Sequence, residues 1–295
     1  PHMKLISALP VILLAGTLAS CGGTTDPAAI EPAGTLTLVI TDGPMEQAQE
    51  VIFHVTHVDM GHADGSVTRL ELMSGPHDID LMQLQNGMTH DLLDSASVPA
   101  GHFEWMELGI DLQQSHFGGQ SGGQHGMTMG AGNPLRANAQ FQIMDGEHLE
   151  FVMDFDLRLG IQQHEMGGMM GMEYQLQEGM HLMNIADVGG LSGAIDISLV
   201  DVNNPACDPA EGGNLAYLFD AAVAQPDDLA ATDTDGFDGP VATDIVELHV
   251  GVGEYRYHFG FVPAGSYRVA FSCSGEWDEE GDDDYPTDPD GQFDF

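Results

Sequence analysis

Strict alternation of apolar and polar side chains is the feature that most limits how this chain can fold. The odd positions from Leu149 to Leu159 are all apolar, and all but one of the even positions from His148 to Arg158 are polar or charged. A period of two is typical of strands with one buried face. Asp, Gly and Pro interrupt the chain repeatedly, and no segment keeps a helical period over about 12 residues. We therefore expect an all-β protein with two antiparallel β-sandwich-like domains in tandem.

A change in composition divides the predicted strands into two groups. All 17 methionines lie at or before Met183, and a second set of short strands follows Gly189 and Gly190. Short strands separated by turn residues are typical of a sandwich. We expect a β-rich domain over residues 35–190, a β-sandwich domain over 191–275 and an acidic tail over 276–295.

The charge of the chain excludes one class of partner. Six Lys and Arg residues stand against 47 Asp and Glu residues, which gives a formal net charge of −41. Neutralising phosphates requires many more basic side chains, so we expect no nucleic-acid partner. An acidic surface also repels anionic lipid and favours cations.

The N-terminal segment is typical of an export signal. Lys4 precedes an apolar run from Leu5 to Leu18, which is shorter than the roughly 18 residues of a spanning helix. Leu18-Ala19-Ser20-Cys21 resembles a bacterial lipobox, at which a peptidase cuts before a cysteine that then carries lipid. An ordinary signal peptide with a chance cysteine is the alternative.

These features predict a lipid-anchored protein of the outer membrane, on the periplasmic face or the cell surface. Gly22 stands where an Asp would favour retention in the inner membrane. The expected parts are a signal peptide over residues 1–20, with 1–2 as a remnant before Met3, and a lipidated Cys21 with a tether over 21–34.

The two remaining cysteines, Cys207 and Cys273, predict a disulfide, which is common outside the cytoplasm. In the chain-entropy model a bridge that closes a loop of this length stabilises the fold by about 4 kcal/mol.

Two Gly-rich inserts, from His116 to Gly132 and from His164 to Met172, concentrate side chains that bind soft metals. Thioethers select Cu(I), and imidazole suits copper in either oxidation state. A meander of strands over 104–112, 138–144, 148–159 and 173–184 would bring both inserts to one end of the sheet. The alternative is a pair of flexible loops in which Met fills packing gaps. The candidate ligands are His116, His125, Met127, Met129, His164, Met166, Met169, Met170 and Met172.

Two acidic runs near the C-terminus are candidate calcium loops. Each reads D-x-D-G with another Asp close behind, and calcium takes such oxygen ligands around a sharp turn. The alternative is a solvated acidic surface. The candidate ligands are Asp233, Asp235, Asp238, Asp288, Asp290 and Asp294.

No fingerprint of a common enzyme class occurs, and we expect no catalytic residues. His164-Glu165 begins like the HExxH motif, but Gly168 stands where the second His belongs. Asp154 and Asp156 share one strand face, and we expect that face to be exposed to solvent.

Five segments carry a family resemblance: Gly34–Pro44, Asp78–Gly87, Val98–Leu112, Leu149–Gly160 and, as the closing strand, Glu173–Ile185. In that order they resemble a bacterial lipoprotein domain known as domain of unknown function 4382. The family usually carries Ser where this chain has Gly160. The resemblance implies an exported, often lipid-anchored all-β domain with no established reaction over about residues 35–190. The second domain, which ends in FVPAGSYRVAF, is similar to prealbumin-like or carboxypeptidase-regulatory-like sandwiches.

Together these features predict a non-catalytic lipoprotein of the cell envelope that acts as a binding module. Metal is the concrete ligand hypothesis, with Cu(I) at the Met/His inserts and Ca²⁺ at the Asp loops. The alternative is a surface adhesion or assembly scaffold that binds another protein and has no metal role.

Overall fold

Strands dominate the computed structural model, which confirms the predicted all-β class. The structure describes residues 32–43, 45, 48–119, 122–132, 135–165, 172–177, 179–200, 214–224 and 239–273, with the backbone alone at 159, 163–165, 172 and 173. Within these ranges the helical elements are the four-residue α1 (Leu157–Gly160) and three short 3-10 turns (Leu81–Gln83, Ile185–Asp187 and Ile197–Leu199). Residues Pro32–Phe295 form one compact unit, so the division at residue 190 stays a prediction.

One sheet of the N-terminal part has four strands in the order β13-β10-β1-β5. The first strand pairs with β10 in parallel and with β5 antiparallel, and β10 pairs antiparallel with β13. The bounds are β1 (Ala33–Gly43), β5 (His90–Pro99), β10 (His148–Asp156) and β13 (Met180–Asn184).

The other sheet has nine strands and carries both Met/His inserts. Seven strands follow the order β11-β12-β8-β7-β2-β6-β9, and β3 and β4 also pair with β2. The bounds are β2 (Ala48–His62), β3 (Val67–Glu71), β4 (His77–Asp80), β6 (Gly101–Ile110), β7 (His116–Gly119), β8 (Gln124–Met129), β9 (Arg136–Ile143), β11 (Ile161–Glu165) and β12 (Met172–Leu176).

The main core lies between these two sheets. Leu36, Leu38 and Ile40 of β1 are fully buried, as are Phe53 and Val55 of β2, and all five belong to one cluster. Alternation along each strand places these side chains on one face, as the period of two predicts. Burial of this apolar surface is the main stabilising term.

Two three-stranded sheets form the C-terminal part, in the orders β14-β18-β17 and β16-β15-β19. The middle strand β15 is buried on both faces, with Leu215, Tyr217 and Phe219 in one cluster and Ala216 and Leu218 in another. The bounds are β14 (Val188–Ile195), β15 (Leu215–Asp220), β16 (Ala242–Ile245), β17 (Glu247–His249), β18 (Glu254–Pro263) and β19 (Tyr267–Ser272).

The predicted meander is wrong. The strand over 148–156 does not pair with its predecessor β9 but lies in the opposite sheet, parallel to β1, with Thr35 opposite His148. The predicted strand also ends early, because residues 157–160 form α1. Alternation reveals which face of a strand is buried, but it does not reveal which neighbour the strand takes.

Gly160 lies against the ring of Phe155. This is the position at which the family that the first domain resembles usually carries Ser. A Cβ at this position would overlap the ring of Phe155. We expect Gly160→Ser to lower the free energy of unfolding by about 1–3 kcal/mol, because Phe155 is fully buried and must shift. Urea titration measures the change, and Gly251→Ser is the control because a Cβ there meets nothing within 4 Å. Equal effects of the two substitutions would contradict the prediction.

Among the described residues, no helix has the length and apolar character needed to cross a membrane.

Candidate functional site

The two Met/His inserts form adjacent hairpins of the nine-stranded sheet. The first insert contains β7 and β8, and the second joins β11 to β12 and overlaps only the end of one and the start of the other. Strands β8 and β12 pair in parallel, with Tyr174 beside Met127. Each hairpin tip precedes its second strand, so the tips lie at the same end of the sheet. Strand β8 of the first insert therefore lies beside β12, the strand that follows the second insert, through parallel pairing rather than through a meander. Contact between the inserts themselves stays a prediction, because residues 166–171 lie outside the described residues.

The structure separates the two histidines of the first insert. Gly126 lies opposite His116 and Phe117 lies opposite His125, so the two histidines occupy opposite faces of the hairpin. Nε2 of His116 is 3.1 Å from Oε1 of Glu50. The pKa of the Glu50 carboxyl is lowered by the amide of Gln124, which donates to it, and by His116. One ion cannot take both imidazoles without rearrangement of the hairpin.

His125 lies beside an aromatic pair on the core side of the hairpin. The rings of Phe117 and Tyr174 stack with centroids 3.9 Å apart, and the His125 ring is 5.3 Å from Tyr174. Met127 is buried in the main core. Met129 is exposed at the other end of β8, about 13 Å from His125 at the usual rise per residue. The structure thus keeps His125 near the tips and places Met127 and Met129 away from them.

Of the second insert, the structure describes only the backbone at its two ends, in β11 and β12. His164 lies opposite Glu173, and Met172 lies opposite Glu165. The candidate ligands Met166, Met169 and Met170 lie outside the described residues, in the segment that joins β11 to β12. Among the residues that the structure describes, no group of three or more His, Cys, Asp or Glu side chains could hold a metal ion.

The other predicted sites also fall outside the described ranges. Cys21 and Cys207 lie there, so lipidation and the disulfide to Cys273 stay predictions. The candidate calcium ligands lie there as well, and calcium binding stays a prediction: Asp233, Asp235, Asp238, Asp288, Asp290 and Asp294.

Three carboxyls lie near the C-terminal ends of the paired strands β1 and β10. Asp154 and Asp156 share one face of β10, and the prediction that this face is exposed to solvent is wrong, because Asp156 is buried and Oδ1 of Asp154 is inaccessible. Asp42 of β1 is also buried, but it is the register partner of Phe155 and lies on the core-facing side. No described residue donates a hydrogen bond to either oxygen of Asp42 or to Oδ1 of Asp154. Burial without partners opposes ionisation.

The neighbouring charges strengthen this effect. Burial and then Asp156 raise the pKa of Asp154 to about 7. Burial, then Asp154 and Asp156, raise the pKa of Asp42 well above its ordinary value. The backbone N–H of Leu157 is close enough to oppose the shift, although its geometry is not that of a formed hydrogen bond. Asp154 therefore binds or releases a proton near neutral pH.

The C-terminal sheets cover this face of β10 and leave a cavity of about 320 Å³ beside Asp154. His181 lies directly opposite Asp154 on β13. Leu218, Phe261 and Tyr267 contribute to the other walls. Alternation could not reveal this arrangement, because a distant part of the chain buries the polar face.

Comparison with known proteins agrees with one part of the sequence analysis. Residues 33–174 match the model of a family described as a domain of unknown function (DUF4382). No curated protein and no solved structure matches the chain. The match ends at residue 174, the second residue of the predicted closing strand, so the extension to residue 190 and the likeness of the second domain stay predictions.

Proposed function

We propose that this chain, which carries a DUF4382 domain at residues 33–174, is an exported, lipid-anchored protein of the cell envelope that binds a soft metal cation. The proposed site lies at the shared end of the β7–β8 and β11–β12 hairpins. The parallel pairing of β8 with β12 carries the proposal, because it brings two Met/His-rich segments of distant sequence side by side.

His125 and Met172 occupy matching positions in the two strands. His125 lies two residues before Met127, Met172 lies two residues before Tyr174, and Met127 and Tyr174 are register partners. Positions two apart share a face of a strand. Met166, Met169 and Met170 lie in the sequence between Glu165 and Met172, outside the described residues, and we include them in the proposed ligand set on the sequence alone. Imidazole with several thioethers is a ligand set that favours Cu(I).

The charge of the chain supports a cationic ligand. With a formal net charge of −41, its surface potential raises the local concentration of cations. The exported location is supported by the residues from Lys4 to Cys21. Softness of the ligands, rather than charge, then distinguishes Cu(I) from Ca²⁺ or Mg²⁺.

The test is an anaerobic Cu(I) titration of the metal-free full chain against a chromogenic chelator. We expect one Cu(I) per chain, and we expect replacement of Met166, Met169, Met170 and Met172 by Leu to weaken it by more than about 100-fold, since loss of an outer partner alone costs about 10- to 100-fold. Leu preserves apolar volume, so the fold should not change.

The matched control replaces three exposed methionines far from the tips by Leu: Met73, Met88 and Met144. Cu(I) affinity should not change in this variant. Equal Cu(I) affinity of the tip variant and the unmodified chain would overturn the proposal. If the tip variant instead changed only association with another protein, the adhesion alternative would replace it.

A further inference from the structure

Two histidines outside the hairpins place their ring nitrogens against one another. Nε2 of His77 is 2.9 Å from Nε2 of His90, and the ring centroids are 5.1 Å apart. Both side chains are half-buried. Two imidazoles that converge through the same ring atom form either a hydrogen bond, with one nitrogen protonated, or a pair of ligands for one ion.

The pair connects the two sheets that enclose the main core. His77 is the first residue of β4, which pairs with β2 of the nine-stranded sheet. His90 is the first residue of β5, which pairs with β1 of the four-stranded sheet. An ion held between the rings would therefore link the two sheets.

The other nitrogen of His77 fixes the state of its ring. Nδ1 of His77 lies 2.6 Å from the carbonyl oxygen of Gly75, to which it donates its hydrogen. Nε2 of a neutral His77 then carries a lone pair. A backbone carbonyl on the far nitrogen is the usual partner of a metal-binding histidine.

We propose that His77 and His90 form a binding site for a divalent late first-row metal ion, and that Cu(II) is the ion bound most tightly. At typical metal–nitrogen distances of about 2.0–2.1 Å, two nitrogens 2.9 Å apart subtend about 90° at the ion. That angle suits neighbouring positions of tetragonal Cu(II) or Ni(II) and is smaller than the tetrahedral angle. Cu(II) binds such donors most tightly in the Irving–Williams order.

Water completes the coordination in this proposal. The described residues provide no third His, Cys, Asp or Glu in a group that could hold a metal. The site is thus open and differs in ligand type, oxidation state and position from the proposed Cu(I) site at the hairpin tips. Either site can fail without the other.

The test is a Cu(II) titration of the metal-free full chain, followed by pulsed electron paramagnetic resonance at one equivalent. We expect two equatorial imidazoles, each with a detectable remote nitrogen, and a rise in Tm because the ion links the sheets. His77→Gln and His90→Gln should each abolish the tight equivalent. His181→Gln, which removes an exposed histidine on β13, should preserve it.

A second measurement needs no variant. Long-range ¹H–¹⁵N spectra of the histidine rings in the unmodified chain, recorded with a substoichiometric amount of paramagnetic Cu(II), should lose the ring signals of His77 and His90 first. Tight Cu(II) binding that persists in both Gln variants, or early signal loss confined to other histidines, would overturn the proposal.

Discussion

Lowering the pH from about 8 to about 5 is expected to raise the free energy of unfolding by about 2.5 kcal/mol through Asp154 alone. Its pKa is raised by burial and by Asp156 from the ordinary value of 3.8 to about 7. The folded chain therefore binds this proton more tightly than the unfolded chain. The stabilisation is complete below about pH 4 and is lost as the pH rises through about 7.

Chemical denaturation across this pH range measures the effect. Asp154→Asn keeps the size of the side chain and removes its titration, so the difference between pH 5 and pH 8 should shrink by about 2.5 kcal/mol. Asp187→Asn removes the same charge at an exposed position and should leave the difference unchanged. A pH dependence that is identical in all three proteins would show that Asp154 ionises freely in the folded state.

Truncation of Phe155 to Ala is expected to lower the free energy of unfolding by about 3–5 kcal/mol. The ring is fully buried in the main core, with its centroid 5.3 Å from that of Phe53. Removing it takes apolar surface from the core and leaves a cavity where β10 and β2 face one another. Equilibrium unfolding in urea measures the change.

Two companion substitutions define the cause. Phe155→Leu retains most of the buried volume and should cost clearly less than the Ala variant. Met144→Ala removes a large side chain that is 55% exposed, and it should change stability by less than about 0.5 kcal/mol. A small effect of Phe155→Ala would mean that the surrounding side chains collapse into the space.

Alternation predicted the strands well because it reports a local property, the burial of one face. It placed Leu36, Leu38 and Ile40 on the core side of β1, where they lie. It could not give the partner of β10, because parallel pairing with β1 depends on chain segments more than 100 residues apart. It also gave the wrong environment for Asp154, since the C-terminal sheets that bury this residue leave no trace in the local pattern.

The candidate site was predictable in composition but not in geometry. Clusters of Met and His marked both inserts, and the inserts are neighbours in the sheet. The pattern did not show that His116 and His125 face opposite ways, or that Met127 belongs to the core, because both follow from the hairpin register. The contact of His77 with His90 had no sequence signal, since 13 residues and a change of sheet separate them.

The parallel pair of β1 and β10 sets the order in which this chain can complete its fold. Thr35 and His148 are 113 positions apart, and the first strand emerges from the ribosome long before its partner exists. Until β10 is made, one hydrogen-bonding edge of β1 has no partner strand. The four-stranded sheet can therefore form only after the long chain segment between the two strands has been synthesised and has folded back. A nascent chain that stops short of residue 148 therefore presents an open β edge, and a folding factor that masks such edges would act in that interval.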